Sequence, residues 1–127
     1  MSTQTKSKKV QKKKPVVRMK EKLSDFYGHI ESIANGEESI PRKYYKPFKE
    51  KIHMMFLLNY PNEVPYFLII PKVRSIAHIV QEVAKAYRDV IYANPNKYKI
   101  SLHGIEDLVI EGVITTTEGP GHIMIGS

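Results

Sequence analysis

The sequence predicts an α+β fold: a mixed sheet made of a two-stranded hairpin, one long helix and two to three further strands, preceded by a short helix and a disordered basic N-terminal arm. Three observations predict it. Two short apolar runs, 52–60 and 66–70, flank the proline-bounded turn Pro61-Asn62-Glu63-Val64-Pro65, the pattern of a hairpin. A stripe at helical spacing then covers residues 76–91. Segments rich in β-branched residues fill most of the rest of the chain, where strands are favoured.

Taken in order, the first element is the arm, 1–22. It holds nine basic residues and one acid, Glu21, so it carries +8 while the whole 127-residue chain carries +7. The other residues therefore sum to −1. Ser, Thr, Gln and Lys dominate residues 1–14, and so polar a stretch cannot repay the entropy of ordering. Next, Leu23, Phe26, Tyr27, Ile30, Ile33 and Ala34 recur at spacings of three and four, which predicts a short amphipathic helix. Ser24, or the Ser24-Asp25 pair, is placed to cap its start, and Asn35-Gly36 ends it. Residues 37–51 hold Pro41, Pro47, the Tyr44-Tyr45 pair and five basic side chains, and read as an extended connector. Residues 23–51 thus form a helix-and-connector segment ahead of the α+β domain, 52–127.

Within that domain, 52–60 is nearly continuous in apolar residues and reads as a strand buried on both faces. Residues 66–70 make its hairpin partner, with Pro61, Pro65 and Pro71 outside both ladders. Ser75 precedes Ile76, Ile79, Val80, Val83, Tyr87, Val90 and Ile91, with Gln81, Glu82, Lys85, Arg88 and Asp89 on the other side. This is an amphipathic helix, stopped at Asn94-Pro95-Asn96. His78 falls at its boundary. Tyr98, Ile100 and Leu102 alternate with Lys99, Ser101 and His103, which predicts a half-buried strand. Residues 108–110 and 113–117 form one bulged strand or two short ones, and 122–125 form the last strand.

The composition excludes several chemistries. With no cysteine in the chain, disulfides, thiolate metal sites and cysteine nucleophiles are absent. No stretch reaches the roughly 18–20 apolar residues of a membrane span, and no secretory leader is evident. The expectation is an intracellular protein, cytoplasmic or nuclear, without a membrane partner. The five histidines stand singly, without the i, i+4 pairing of a zinc site. Glu106, Asp107 and Glu111 lack the spacing of a calcium loop and read as a solvated acidic turn. There is no nucleophile elbow and no phosphate-cradling glycine loop before a helix. The reading is a non-enzyme with no catalytic residue, no metal, no cofactor and no small-molecule ligand.

The element order from Lys51 is strand, strand, long helix and then further strands, and a right-handed crossover brings such a helix onto the sheet. The stretch Leu68-Ile69-Ile70-Pro71-Lys72-Val73-Arg74-Ser75-Ile76-Ala77-His78-Ile79-Val80 resembles the second strand, turn and helix start of ubiquitin-like, β-grasp domains. Residues 98–104 and 118–127 are similar to the closing strands of doublecortin-like domains, a basic β-grasp family that binds microtubules. The resemblance implies a mixed sheet wrapped on one helix and a protein-polymer partner. The first turn lacks the Asn-Gly-Asp of the doublecortin-like pattern, and no terminal Gly-Gly is present, so conjugation is not implied. A different α+β sandwich with the same element order is the alternative.

Two functional readings follow. In the first, the chain is a binding module that docks on a protein surface or polymer while its arm contacts an acidic face, through Lys8, Lys9, Lys12, Lys13, Lys14, Arg18, Lys20 and Lys22. In the connector, Tyr44, Tyr45 and Phe48, interleaved with Arg42, Lys43, Lys46 and Lys49, are candidate anchors, because aromatic and basic residues dominate binding energy when buried at an interface. Covering a sheet edge would account for the same aromatics. In the second reading the same residues bind nucleic acid, as in a small ribonucleoprotein subunit, with lysines on phosphates and aromatics on bases.

Overall fold

The computed structural model describes residues 17–23, 26, 28–116 and 119–127. It is an α+β fold with one five-stranded mixed sheet. The strands are β1 (Val17–Lys22), β2 (Ile52–Leu58), β3 (Tyr66–Val73), β4 (Val109–Thr116) and β5 (Gly121–Gly126), and they lie in the order β1-β4-β5-β2-β3. All pairings are antiparallel except β2 with β5, where Phe56 faces Gly121 and Leu57 faces His122 in parallel. The helices are α1 (Ile30–Ala34), α2 (Ile76–Ala86), which continues as a π-helical turn over Tyr87–Ile91, and α3 (Pro95–Tyr98).

The long helix lies where its stripe predicts. Ser75 caps it, its Oγ accepting from the His78 N–H at 3.1 Å, which satisfies one otherwise orphaned donor. Ile79, Val80, Val83, Tyr87 and Ile91 are fully buried. They face Phe56, Leu58, Ile70, Val73, Ile110 and Val113 from the sheet in one core. The Tyr87 hydroxyl donates to the Tyr60 carbonyl at 2.6 Å, so the polar tip of the largest core side chain is paired. His78 is nearly buried at 9% exposure, further inside than a boundary position.

Four local expectations are corrected. Residues 17–22 are strand β1, not part of the arm: Met19 pairs with Thr115, Lys20 with Ile114 and Lys22 with Gly112. Their alternation of apolar or inward positions with cations suits an edge strand. The first helix covers only Ile30–Ala34, because Gly28 sits at φ +66 and packs its backbone against Ile110, a conformation no continuous helix permits. Ser24, Asp25 and Tyr27 lie outside the described residues. The expected strand at 98–103 is absent: Pro95 opens helix α3, Lys99 turns the chain at φ 53, and Leu102 is 80% exposed. The carbonyls of Tyr98 and Lys99 accept instead from Val64 and Glu63 of the hairpin loop. Finally, Pro71 lies inside β3. The strand is an edge, and the ladder shifts register there, with Ile52 opposite Val73 but Met54 opposite Ile70, so the missing N–H is tolerated.

Candidate functional site

Among the described residues, every helix packs on one side of the sheet and nothing covers the other. Strand partners in register share a face, so the pairings define what that face carries. Leu57 stands beside Phe67 and His122, Met55 beside Ile69, Ile114 beside His122 and Lys20, and Met124 beside Gly112. Strand β2 is therefore buried on one face only, with Phe56 and Leu58 inward and Met55 and Leu57 half-exposed outward. Its expected burial on both faces does not occur. On the edge strand β3, Phe67 is 50% and Ile69 54% exposed.

The centre of this face is aliphatic around the exposed His122, and its β1 border carries the exposed Lys20 and Lys22. No carboxylate stands at any of these paired positions; Glu111, at the β4 bulge, lies over Gly126 at the end of the sheet. Such a surface offers dispersion and apolar burial in the middle and positive charge along one side. An exposed apolar patch of this kind marks an interaction surface more often than it marks nothing.

The predicted connector residues separate into two groups. Arg42, Lys43, Tyr44 and Tyr45 form a 3-10 turn. Tyr44 is not a surface anchor: it is 3% exposed, packs in the core, and has its ring 5.9 Å from Phe26. Burial of an aromatic ring is worth more inside the fold than at its surface. Lys43 covers that ring, with Nζ 5.1 Å from its centroid. Tyr45 is 48% exposed, and its hydroxyl accepts from Gln81 Nε2 at 3.1 Å. Phe48 is half-buried, and its N–H donates to the Arg74 carbonyl at 2.8 Å, pinning the connector to the end of β3. Arg42, Lys46 and Lys49 are exposed. A groove of about 350 Å³ brings together Lys43, Lys46, Phe48 and Lys49 with Met19 of β1.

Of the arm residues, Lys20 and Lys22 are exposed on β1, and Arg18 contributes its backbone to that strand. Lys8, Lys9, Lys12, Lys13 and Lys14 lie outside the described residues.

The open-face residues Met55, Leu57, Phe67, Ile69, Ile114 and Met124 are not singled out by sequence reasoning, though a signal was present. A nearly continuous apolar run in a strand calls for cover on both sides, and the described residues supply a helical layer for only one.

Among the described residues, no group of three histidines or carboxylates gathers to hold a metal ion, and no helix is long and apolar enough to cross a membrane. No protein-family model, curated protein or solved structure matches the chain.

Proposed function

We propose that the protein is a non-enzymatic binding module that docks on a protein partner through the open face of its sheet, with its basic arm and connector contacting an acidic surface of that partner. The observation that carries this reading is the open face itself: an aliphatic centre formed by Met55, Leu57, Ile69, Ile114 and Met124, bordered by Lys20 and Lys22. Aliphatic side chains bury well against other side chains, whereas single-stranded nucleic acid is held on aromatic platforms, and the paired positions of this face carry only two rings, Phe67 and the exposed His122, among the described residues. Affinity then comes from apolar contact, and the lysines speed encounter and set orientation. The antiparallel hairpin, the helix crossing to the next strands and the parallel pairing of β2 with β5 support placing the domain among β-grasp folds.

Charge accounting supports a tether in front of this body. Residues 1–16 carry six lysines and no acid, so the chain from Val17 onward carries +1. Deleting residues 2–16 removes the tether without touching β1. The test is binding of microtubules, RNA and DNA by the full chain and by this deletion at about 50 and about 150 mM salt, where screening of exposed charges differs. Protein-polymer binding that survives the higher salt and is weakened, not abolished, by the deletion is expected. Binding to RNA or DNA at the higher salt with a steep salt slope, and none to protein polymers, would overturn the proposal in favour of a nucleic-acid partner.

A further inference from the structure

On the helical side of the sheet, away from the open face, a cleft of about 260 Å³ lies between the connector and the first turns of α2. Tyr45, His78 and Gln81 line it together with Lys51 and Arg74, and no carboxylate does. The hydrogen bonds around it leave several donors facing the cleft. The main-chain N–H of Arg74 donates to His78 Nδ1 at 3.0 Å, so the lone pair of Nδ1 is engaged and the neutral ring carries its proton on Nε2. Nε2 has no partner among the described residues and is open to solvent, although the residue as a whole is only 9% exposed. Gln81 donates to the Tyr45 oxygen, which leaves the phenolic proton of Tyr45 undonated. Neither Lys51 nor Arg74 has a carboxylate partner among the described residues.

Two exposed cations, an imidazole N–H and a phenolic O–H therefore line one cleft that has no carboxylate among its lining residues. An anionic ligand would engage all four donors together, and hydrogen bonds to a charged group are the stronger kind. Burial first, then the charge of Arg74, holds the His78 pKa below 6.5, against the opposing pull of Glu82. The ring is thus a neutral donor, and the positive charge comes from Lys51 and Arg74. A dianion matches two cations better than a single carboxylate does, and a planar guanidinium is suited to phosphoryl oxygens.

We infer that this cleft is a binding site for a phosphomonoester dianion, held by Arg74 and Lys51 through charge and by His78 Nε2 and the Tyr45 hydroxyl through hydrogen bonds. The site lies away from the open sheet face and shares Tyr45 and Lys51 with the connector. Its ligand is either a free phosphoryl compound or a phosphorylated side chain of another protein, and the chemistry of recognition is shared.

The experiment is an NMR titration of the full chain, observing backbone amides and the histidine rings. Inorganic phosphate is added first, then a phosphoserine peptide and its unphosphorylated counterpart, each against sodium chloride at equal ionic strength. Saturable shifts at Arg74, Ser75 and the His78 ring are expected with phosphate and with the phosphopeptide, and not with chloride or the unphosphorylated peptide. Tighter binding of the phosphopeptide than of phosphate assigns the ligand to a phosphorylated protein, and equal binding assigns it to a free phosphoryl compound; both support the site. The exposed substitutions Arg74→Gln and Lys51→Gln should each weaken phosphate binding about tenfold, the scale of one lost charge-assisted contact, while the remaining spectrum stays that of the folded protein. Shifts reproduced by chloride, or an affinity unchanged in both variants, would overturn the inference.

Discussion

Met124 occupies the space that a side chain at Gly112 would need. A Cβ built on Gly112 would stand 2.7 Å from Met124 Sδ and 3.0 Å from the Glu21 carbonyl oxygen. The two residues are paired across β4 and β5, and the glycine lets the thioether lie flat against the sheet between Lys22 of β1 and the aliphatic centre of the open face. Methionine suits such a position because its unbranched, polarisable side chain adapts to an irregular surface.

Substituting this glycine should therefore be costly even though its φ is ordinary. Gly112→Val forces Met124 aside and presses on the β1 backbone, and overpacking of this kind costs about 1–3 kcal/mol. The loss should appear as a lower urea midpoint, and Gly112→Ala should lose less. An unchanged midpoint for the valine variant would mean that β1 and β4 are not packed as described.

The buried hydroxyl of Tyr87 gives a second expectation. Tyr87→Phe keeps the ring in the core but leaves the Tyr60 carbonyl without its 2.6 Å donor, a loss of about 1 kcal/mol for a typical hydrogen bond. Thermal or chemical denaturation of the two proteins measures it. Stability equal to the parent would place that hydroxyl elsewhere.

Alkali should destabilise the fold through Tyr92. Its hydroxyl donates to the His103 carbonyl at 2.8 Å, and burial, followed by the nearby Glu106 and Asp107, pushes its pKa from 10.0 up to about 12. The folded pKa lies above the unfolded value, so the folded state holds the proton more tightly. The associated stability is fully present below pH 10 and is lost as pH rises through about 12. Tyr92→Phe should flatten the stability profile over this window, as read by denaturation at stepped pH; a profile identical to the parent's would contradict it.

What was legible in the sequence followed from periodicity with a single solution. The stripe from Ile76 to Ile91 admits only a helix, and the proline-bounded turn between two apolar runs admits only a hairpin. The misreadings came from patterns that backbone geometry overrides. Tyr98, Ile100 and Leu102 alternate like a strand, yet Pro95 and the left-handed Lys99 put Tyr98 in a helical turn against Tyr66, their rings 6.0 Å apart. Tyr44 and Tyr45 are adjacent and identical, and only the three-dimensional path of the connector sends one into the core and leaves the other beside Gln81. For β1, Lys20 and Lys22 made the segment look like arm, although cations on alternate residues are also what a solvated edge strand carries. The open sheet face was hidden because a one-dimensional apolar run does not say which of its faces the fold will cover.

In the proposed function, an acidic, aliphatic protein segment docks on this face. That docking is tested most directly by NMR titration of the full chain with a synthetic peptide of leucines interleaved with glutamates, comparing the parent with Ile69→Asp. Ile69 is 54% exposed, so the substitution should change stability by no more than about 0.5 kcal/mol, as at other open surface positions. Saturable shifts centred on Leu57, Phe67, Ile69 and Met124 are expected in the parent and should be lost in the variant, with the spectrum otherwise folded. Shifts confined to the connector, or peptide binding that Ile69→Asp leaves intact, would contradict it.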